Sequence, residues 1–416
     1  MKRLVKFLLG GFLLTIPFSL RKIIFNFTRG FHEYETIFIY LSDLFLIGFV
    51  LIAIVYFLKN KEKFRVEKKI KIWGGLFLIF LGVSILKSSI PLFSLYFVFR
   101  IFLYFLTAIF ISNFIKIKII KKEFLFFIFS AGAIFQSIIA FLQFKIQGSL
   151  GLFFLGEPNL FWKAKGISVI PIGKIYILRA YGTFLHPNIL GAFLILGFLS
   201  LVYFLIKEKD FFKKLITIIS LFIVLIGIIT TFSRTAWAVL VISLVLIFCF
   251  LIRKKRKELG LIFIFLIIAG VFPFYNFLNE RVVVLKEESA VTVRISHIEI
   301  GKEIIKNNLI GVGAGSQIYY AEKEGVFEKF GMTNPLLWQP IHNMYLLIAS
   351  EMGILGLLVF LIFIFKLFIS NKLKDSEILI TEIIFVSFLI LGMFDHYFWT
   401  IANGQAIWWA VVGLLI

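Results

Sequence analysis

Histidines and arginines carry the chemistry that this chain can perform. His342 stands in Gln339-Pro-Ile-His-Asn-Met-Tyr345, and an imidazole titrating near its ordinary value of about 6.5 is the natural general base at neutral pH. Arg179, Arg234 and Arg294 each lie at or near the edge of an apolar run. One such arginine would be read as snorkelling to lipid headgroups. Three read better as a clamp, because guanidinium forks grip phosphate oxygens bidentately and keep their charge. Asp395-His396 can orient a hydroxyl or pair with an arginine. Metal binding is the competing chemistry, since His186, His342, His396 and Asp395 could meet in space, but no His-Glu-x-x-His or other local ligand pair supports it. The lone cysteine, Cys249, leaves no intrachain disulfide and no thiolate cluster.

The elements that must position these groups are membrane helices. A mean hydropathy of +1.01 with 61% hydrophobic and 16% charged residues over 416 positions leaves too little polar surface to cover a water-soluble domain. About twelve apolar runs, from Leu4–Leu20 through Thr36–Leu58 to Thr400–Ile416, predict an all-α polytopic protein with about twelve transmembrane helices in a single membrane domain, residues 1–416.

The net charge of +21 is distributed in a way that argues against nucleic acid as a partner. Lys59 to Lys71, Lys116 to Lys122, Lys207 to Lys214, Arg253 to Lys257, and Lys372 with Lys374 make every second connection basic. That pattern places both termini and the basic loops in the cytoplasm, facing acidic lipid headgroups. On that topology all five histidines, His32, His186, His297, His342 and His396, fall on the outer side or at its boundary, together with the three arginines and Asp395.

Two outer loops are long enough for structure of their own. Residues 147–187 mix glycine, proline and aromatic residues, as expected of re-entrant or interfacial segments. Residues 279–342 interrupt the apolar chain with a polar stretch, and the length of this extracytoplasmic helical loop makes it the expected home of part of the active site. In it, Arg294 to Lys306 places Ile295, Ile298 and Ile305 near one face of an amphipathic helix. The Gly311-Val-Gly313-Ala-Gly315 run follows no predicted strand, so it reads as a turn with close backbone packing and not as a dinucleotide fingerprint.

Taken together, these residues resemble the O-antigen ligases and the O-antigen or capsule polymerases. The resemblance rests on His342-Asn343 followed, after nine residues, by Gly353-x-x-Gly356. Ser233-Arg234 after a run, Arg179-x-x-Gly182 before one, Arg294 upstream of the glycines, and Asp395-His396-Tyr397 with Gly404-Gln405 are similar to other family landmarks. It covers roughly the half of the chain from Arg179 onward. His186, where the family has no fixed histidine, departs from the pattern.

The resemblance implies a membrane glycosyltransferase that moves a glycan from a polyprenyl-pyrophosphate carrier to a lipid or glycan acceptor hydroxyl on the outer face of a bacterial cytoplasmic membrane. Arg179, Arg234 and Arg294 would hold the pyrophosphate in place of a metal, with no cofactor, and His342 would take the acceptor proton during an inverting attack. Asn343, Asp395, His396 and His186 would support them. The alternative is a secondary transporter of a lipid-linked or anionic substrate. Against it, the mid-run ionisable residues Arg100, Lys145 and Lys366 show no acidic partner in the apolar runs, whereas a transporter should pair charges near the bilayer midplane.

Overall fold

The computed structural model describes residues 1–27, 31–161, 166–172, 175–283, 289–368 and 376–416. Lys372 and Lys374 lie outside the described residues. In chain order the helices are α1 (Lys2–Thr15), α2 (Leu41–Lys59), α3 (Gly75–Ser84), α4 (Pro91–Lys116), α5 (Lys122–Ile146) and α6 (Pro187–Lys207). They are followed by α7 (Phe211–Thr230), α8 (Arg234–Arg253), α9 (Lys257–Val271), α10 (Tyr275–Val283), α11 (Ser289–Asn307) and α12 (Gln317–Lys323). The last five are α13 (Val326–Lys329), α14 (Met344–Phe368), α15 (Ser376–Gly392), α16 (Tyr397–Thr400) and α17 (Ala402–Leu415).

Among the described residues, nine helices are long and apolar enough to cross a membrane, and the chain is an all-α, multi-pass membrane protein. Three further apolar runs form the shorter helices α1, α15 and α17. At about 1.5 Å per residue, the 14 residues of α1 or α17 fall short of a hydrocarbon core roughly 30 Å thick. Helix α17 is buried throughout and packs on α4 and α15.

Helix α6 is the central post, buried along nearly its whole length between α5, α7 and α15. Small residues allow that proximity: a Cβ on Gly197 would lie 2.0 Å from that of Ala133 on α5, the close backbone approach typical of membrane helix pairs. Helices α7 and α8 instead leave much of their apolar surface exposed, as lipid-facing helices do.

Among the described residues the strands form two antiparallel hairpins. The first pairs β1 (Arg21–Asn26) with β2 (Thr36–Tyr40), and the second pairs β3 (Val169–Ile172) with β4 (Ile175–Leu178). Hence the run expected to span from Thr36 enters its helix only at Leu41. Hydropathy alone does not separate an apolar strand from the first turns of a helix, and the Tyr40 and Asp43 capping box sets the boundary. The second hairpin occupies the 147–187 loop, bracing Arg179 at its end.

Within the 279–342 segment, residues 289–342 fold into α11, α12 and α13 around a small core of Ile300, Ile304, Val312, Ile318 and Phe327. It is stitched to α14 through the backbone. Helix α14 breaks at Gly353, whose φ of 75° and ψ of 172° no L-residue adopts without strain. The groups freed there are taken up by the loop: Val312 N–H donates to Ser350 O (2.9 Å), Gly313 N–H to Glu351 O (2.9 Å) and Ile354 N–H to Leu309 O (3.2 Å). A Cβ on Gly311 would sit 2.4 Å from Glu351 O. Irregular backbone at this depth survives only where such partners exist, so the glycine run is a packing device that fixes the loop against α14.

Two buried charges correct the expectation that the apolar runs hold no acidic partner. Arg100 on α4 lies 3.5 Å from Asp43 at the start of α2 and donates to Tyr104 Oη (3.1 Å). Glu351 is buried in α14 and accepts from Trp399 Nε1 at 2.7 Å. Asp43 and Glu351 lie towards the N-terminal ends of their helices, the same ends that carry Arg234 and adjoin His186 and His342. They are gathered beside the candidate site rather than at mid-helix.

Candidate active site

The phosphate-binding candidates are placed by α5 and the α7–α8 turn. Gln143 Oε1 accepts from Tyr181 N (3.0 Å) and Gly182 N (2.8 Å), while Gln136 Oε1 accepts from Thr183 N (2.9 Å). Gly182 is required in this turn, since its φ is 58° and a Cβ would meet Gln136 Oε1 at 2.3 Å. The clamped turn leaves Arg179 buried, donating from Nε to Thr231 O (2.8 Å), from Nη1 to Ser168 Oγ (3.0 Å) and from Nη2 to Asn188 Oδ1 (2.6 Å). Phe232, at φ 48°, turns the chain sharply so that Arg234 opens α8.

Arg179, Arg234 and Arg294 line one pocket of about 120 Å³, with Ser168, Asn188 and Ser233. The three arginines, far apart in sequence, thus face one space at the N-terminus of α8. The dipole of that helix also favours an anion there.

The histidines occupy an adjoining pocket of about 280 Å³ lined by His186, His342, Asp395, His396, Tyr34 and Glu33. Asp395 joins the two spaces. Its Oδ2 accepts from Asn188 Nδ2 at 2.7 Å and lies 3.9 Å from Arg294 Nη2, so Arg179, Asn188, Asp395 and Arg294 form a continuous polar wall. The His342 ring sits 5.0 Å from that of His396 at 85°, and stacks on that of His297 at 5.2 Å and 6°.

The carbonyls of the 337–340 strap orient these rings. Leu337 O faces His297 Nε2 (2.9 Å), Trp338 O faces His32 Nε2 (3.1 Å) and Pro340 O faces His342 Nδ1 (3.1 Å). A carbonyl only accepts, so His342 carries its proton on Nδ1 and keeps Nε2 as the basic nitrogen.

Burial changes the titration expected from sequence. It drives His342 down to about 3 despite the opposing pull of Asp395. His186 falls to about 3 through burial and then Arg179, while His297 and His396 fall to about 4, again chiefly through burial. For Asp395 burial acts upward, but His342, His396 and Arg294 outweigh it and hold the carboxyl below its usual range. At neutral pH the imidazoles beside the Asp395 carboxylate are therefore neutral.

The linkage is direct. The unfolded histidines take up protons near pH 6.5 and the native ones only near 3 to 4, so stability is present above about 6.5 and is lost as pH falls through that window. The thermal unfolding midpoint should drop steadily from pH 7 towards pH 4, and His342→Gln should flatten the slope. A midpoint independent of pH across this range would contradict the burial of these rings.

Two supporting residues prove to be helix caps. Asn343 Oδ1 accepts from Tyr345 N and Leu346 N, both at 3.0 Å, capping α14. It does not line the histidine pocket. His186 lines that pocket and also caps α6, accepting from Asn188 N at 3.1 Å. Residue spacing passed over His297 and Asn188. His297 was legible in principle, being three residues after Arg294 on the same helical face. Asn188 was not, because its partner Asp395 is 207 residues away.

The ligand atoms of His342, Asp395 and His396 lie within 4.8 Å of one another, a spacing able to hold a divalent cation that no local sequence motif betrayed. The Arg294 guanidinium beside Asp395 opposes a second positive charge there.

Residues 218–361 match the family model described as O-antigen ligase. This region is similar to O-antigen ligases. It contains Arg234, Arg294, His342 and the Gly353 break, while Arg179, Asp395 and His396 reach it from outside. Two relatives are named "Putative polysaccharide ligase". One, from Rickettsia conorii, is 29% identical over 145 residues, and the other, from Rickettsia typhi, is 29% identical over 143. Each alignment covers 33% of this chain and 33% of the relative, so the chain matches about a third of their length. No solved structure matches.

Proposed function

We propose that the protein is a metal-independent, inverting glycosyltransferase of the O-antigen ligase or polymerase type. It moves a glycan from a polyprenyl-pyrophosphate carrier to an acceptor hydroxyl on the extracytoplasmic face of a bacterial cytoplasmic membrane. The observation that carries this reading is the junction at Asp395: a three-arginine pocket on one side and His342 on the other.

In this reading the arginines bind the pyrophosphate and, with the α8 N-terminus, stabilise the charge that grows as it leaves. His342 Nε2 takes the proton of the acceptor hydroxyl as its oxygen attacks the anomeric carbon. The bond to the pyrophosphate oxygen breaks on the opposite face, so one direct displacement inverts that carbon. The proton stays on the His342 imidazolium, which Asp395 stabilises, until product leaves. Asp395 is kept ionised for this by Arg294 and its histidine neighbours.

The cluster of His342, Asp395 and His396 favours one competing reading, in which a divalent cation replaces the base. Protein in lipid nanodiscs, given a polyprenyl-pyrophosphate-linked glycan and an acceptor, is expected to transfer at full rate after exhaustive chelation. Loss of transfer, restored by adding back a divalent metal, would assign the cluster to a cation instead.

A further inference from the structure

Beyond His342, a second and smaller cavity of about 50 Å³ lies between the N-terminal ends of α4, α14 and α17 and the turn that opens α12. It shares Glu33, Tyr34 and Ile401 with the histidine pocket, and no residue with the arginine pocket. Its lining includes Arg100, Gln317, Glu351 and Gln405. Gln317 and Gln405 are each 1% exposed and Arg100 is 8% exposed.

Several polar atoms here have no hydrogen-bond partner among the described residues: both Nε2 and Oε1 of Gln317, Oε1 of Gln405 and Nε of Arg100. An unmade buried hydrogen bond costs about 1–3 kcal/mol, and such groups are rare in folded proteins. Several around one cavity mark a place built for a polar occupant.

From this arrangement we infer that the cavity is an acceptor subsite, in which Gln317 and Gln405 read the hydroxyl groups of the sugar whose oxygen is to be glycosylated. This rests on the glycosyltransfer reading above. The amide of Gln317 offers a donor and an acceptor side by side, the complement of a pair of neighbouring hydroxyls, each of which both donates and accepts. Tyr96 and Phe97 supply apolar walls suited to a sugar's C–H face.

The volume limits what enters. It corresponds to roughly four waters at the 10–15 Å³ that each requires, so it takes the hydroxyl-bearing edge of one ring seated in the larger pocket. Position selects the acceptor over the donor. In an inverting displacement the nucleophile enters opposite the leaving group, and this cavity shares lining residues with the histidine pocket and none with the arginine pocket.

The test titrates methyl glycosides of glucose, galactose, mannose and N-acetylglucosamine, and their monodeoxy forms, into full-length protein in nanodiscs. The wild type should bind at least one parent glycoside about tenfold more tightly than one of its deoxy forms, the loss of one well-made hydrogen bond. Gln317→Leu should erase that difference while leaving the thermal unfolding midpoint unchanged or raised, because it deletes an unpaired buried amide. Gln317→Asn should retain part of it. Discrimination that persists in Gln317→Leu, or wild-type protein that binds none of the panel, overturns the subsite. If binding discriminates as expected but the bound glycosides accept nothing from polyprenyl-pyrophosphate-linked N-acetylglucosamine, the sugar subsite stands and the glycosyltransfer reading falls.

Discussion

His342→Ala is expected to insert and fold normally yet lose about three orders of magnitude in the rate of glycan transfer, within the range a positioned general base contributes. The residue lies outside α14 and contributes no cap to it, so its removal leaves the helix start intact. The Nδ1 contact to Pro340 O fixes the tautomer that leaves Nε2 as the basic nitrogen. His297 turns its own Nε2 to Leu337 O, and His396 Nδ1 is engaged with Thr400 Oγ1 at 2.7 Å. Donor affinity should change by no more than a few fold, because the arginine pocket is separate. Single-turnover transfer with a saturating polyprenyl-pyrophosphate-linked glycan separates the two effects. A wild-type rate in this variant removes His342 as the base.

Arg234→Lys should lower kcat/KM for the donor about a hundredfold while preserving the net charge of the pocket, a loss of the size seen when one transition-state donor is removed. The physical reason is geometry rather than charge. A guanidinium presents two parallel N–H groups to a pair of phosphate oxygens, and an ammonium offers a compact, strongly hydrated point charge. Arg234 opens α8 in a pocket that already contains Arg179 and Arg294, so the pyrophosphate would be held from three directions. The same substitution at an arginine that merely anchors to headgroups would be silent. Equal kinetics for Arg234→Lys and wild type would therefore assign that residue to the membrane surface.

The expected kinetics differ from what the bare sequence implied. A histidine with an ordinary pKa would produce an acid limb near pH 6.5, whereas burial lowers His342 to about 3. The acid limb of transfer is thus displaced below the ordinary value, and the loss of stability with falling pH becomes the more visible effect.

Much of the architecture was legible because its causes are local. Apolar length reports a helix in lipid, and Gly311, Gly313 and Gly315 report a backbone that must pass close to another. The same locality explains the errors. Thr36–Tyr40 is as apolar as the helix it precedes, so hydropathy merged strand and span. Helices α1 and α17 are shorter than a bilayer crossing, since their apolar character serves packing as much as lipid. Arg100 looked unpartnered because Asp43 belongs to a different helix.

The candidate site divides along the same line. Residue types alone determined that this chain has arginines able to grip phosphate, a histidine able to act as a base, and a membrane setting for both. That Arg179, Arg234 and Arg294 share one pocket, that Asp395 links it to His342, and that His297 and Asn188 complete the arrangement was decided only by the packing of α5, α6, α8, α11 and α14. The reason is physical: side-chain chemistry and helix formation depend on neighbours in sequence, whereas the contact of Asn188 with Asp395, 207 residues apart, exists only when buried helices bring their ends together.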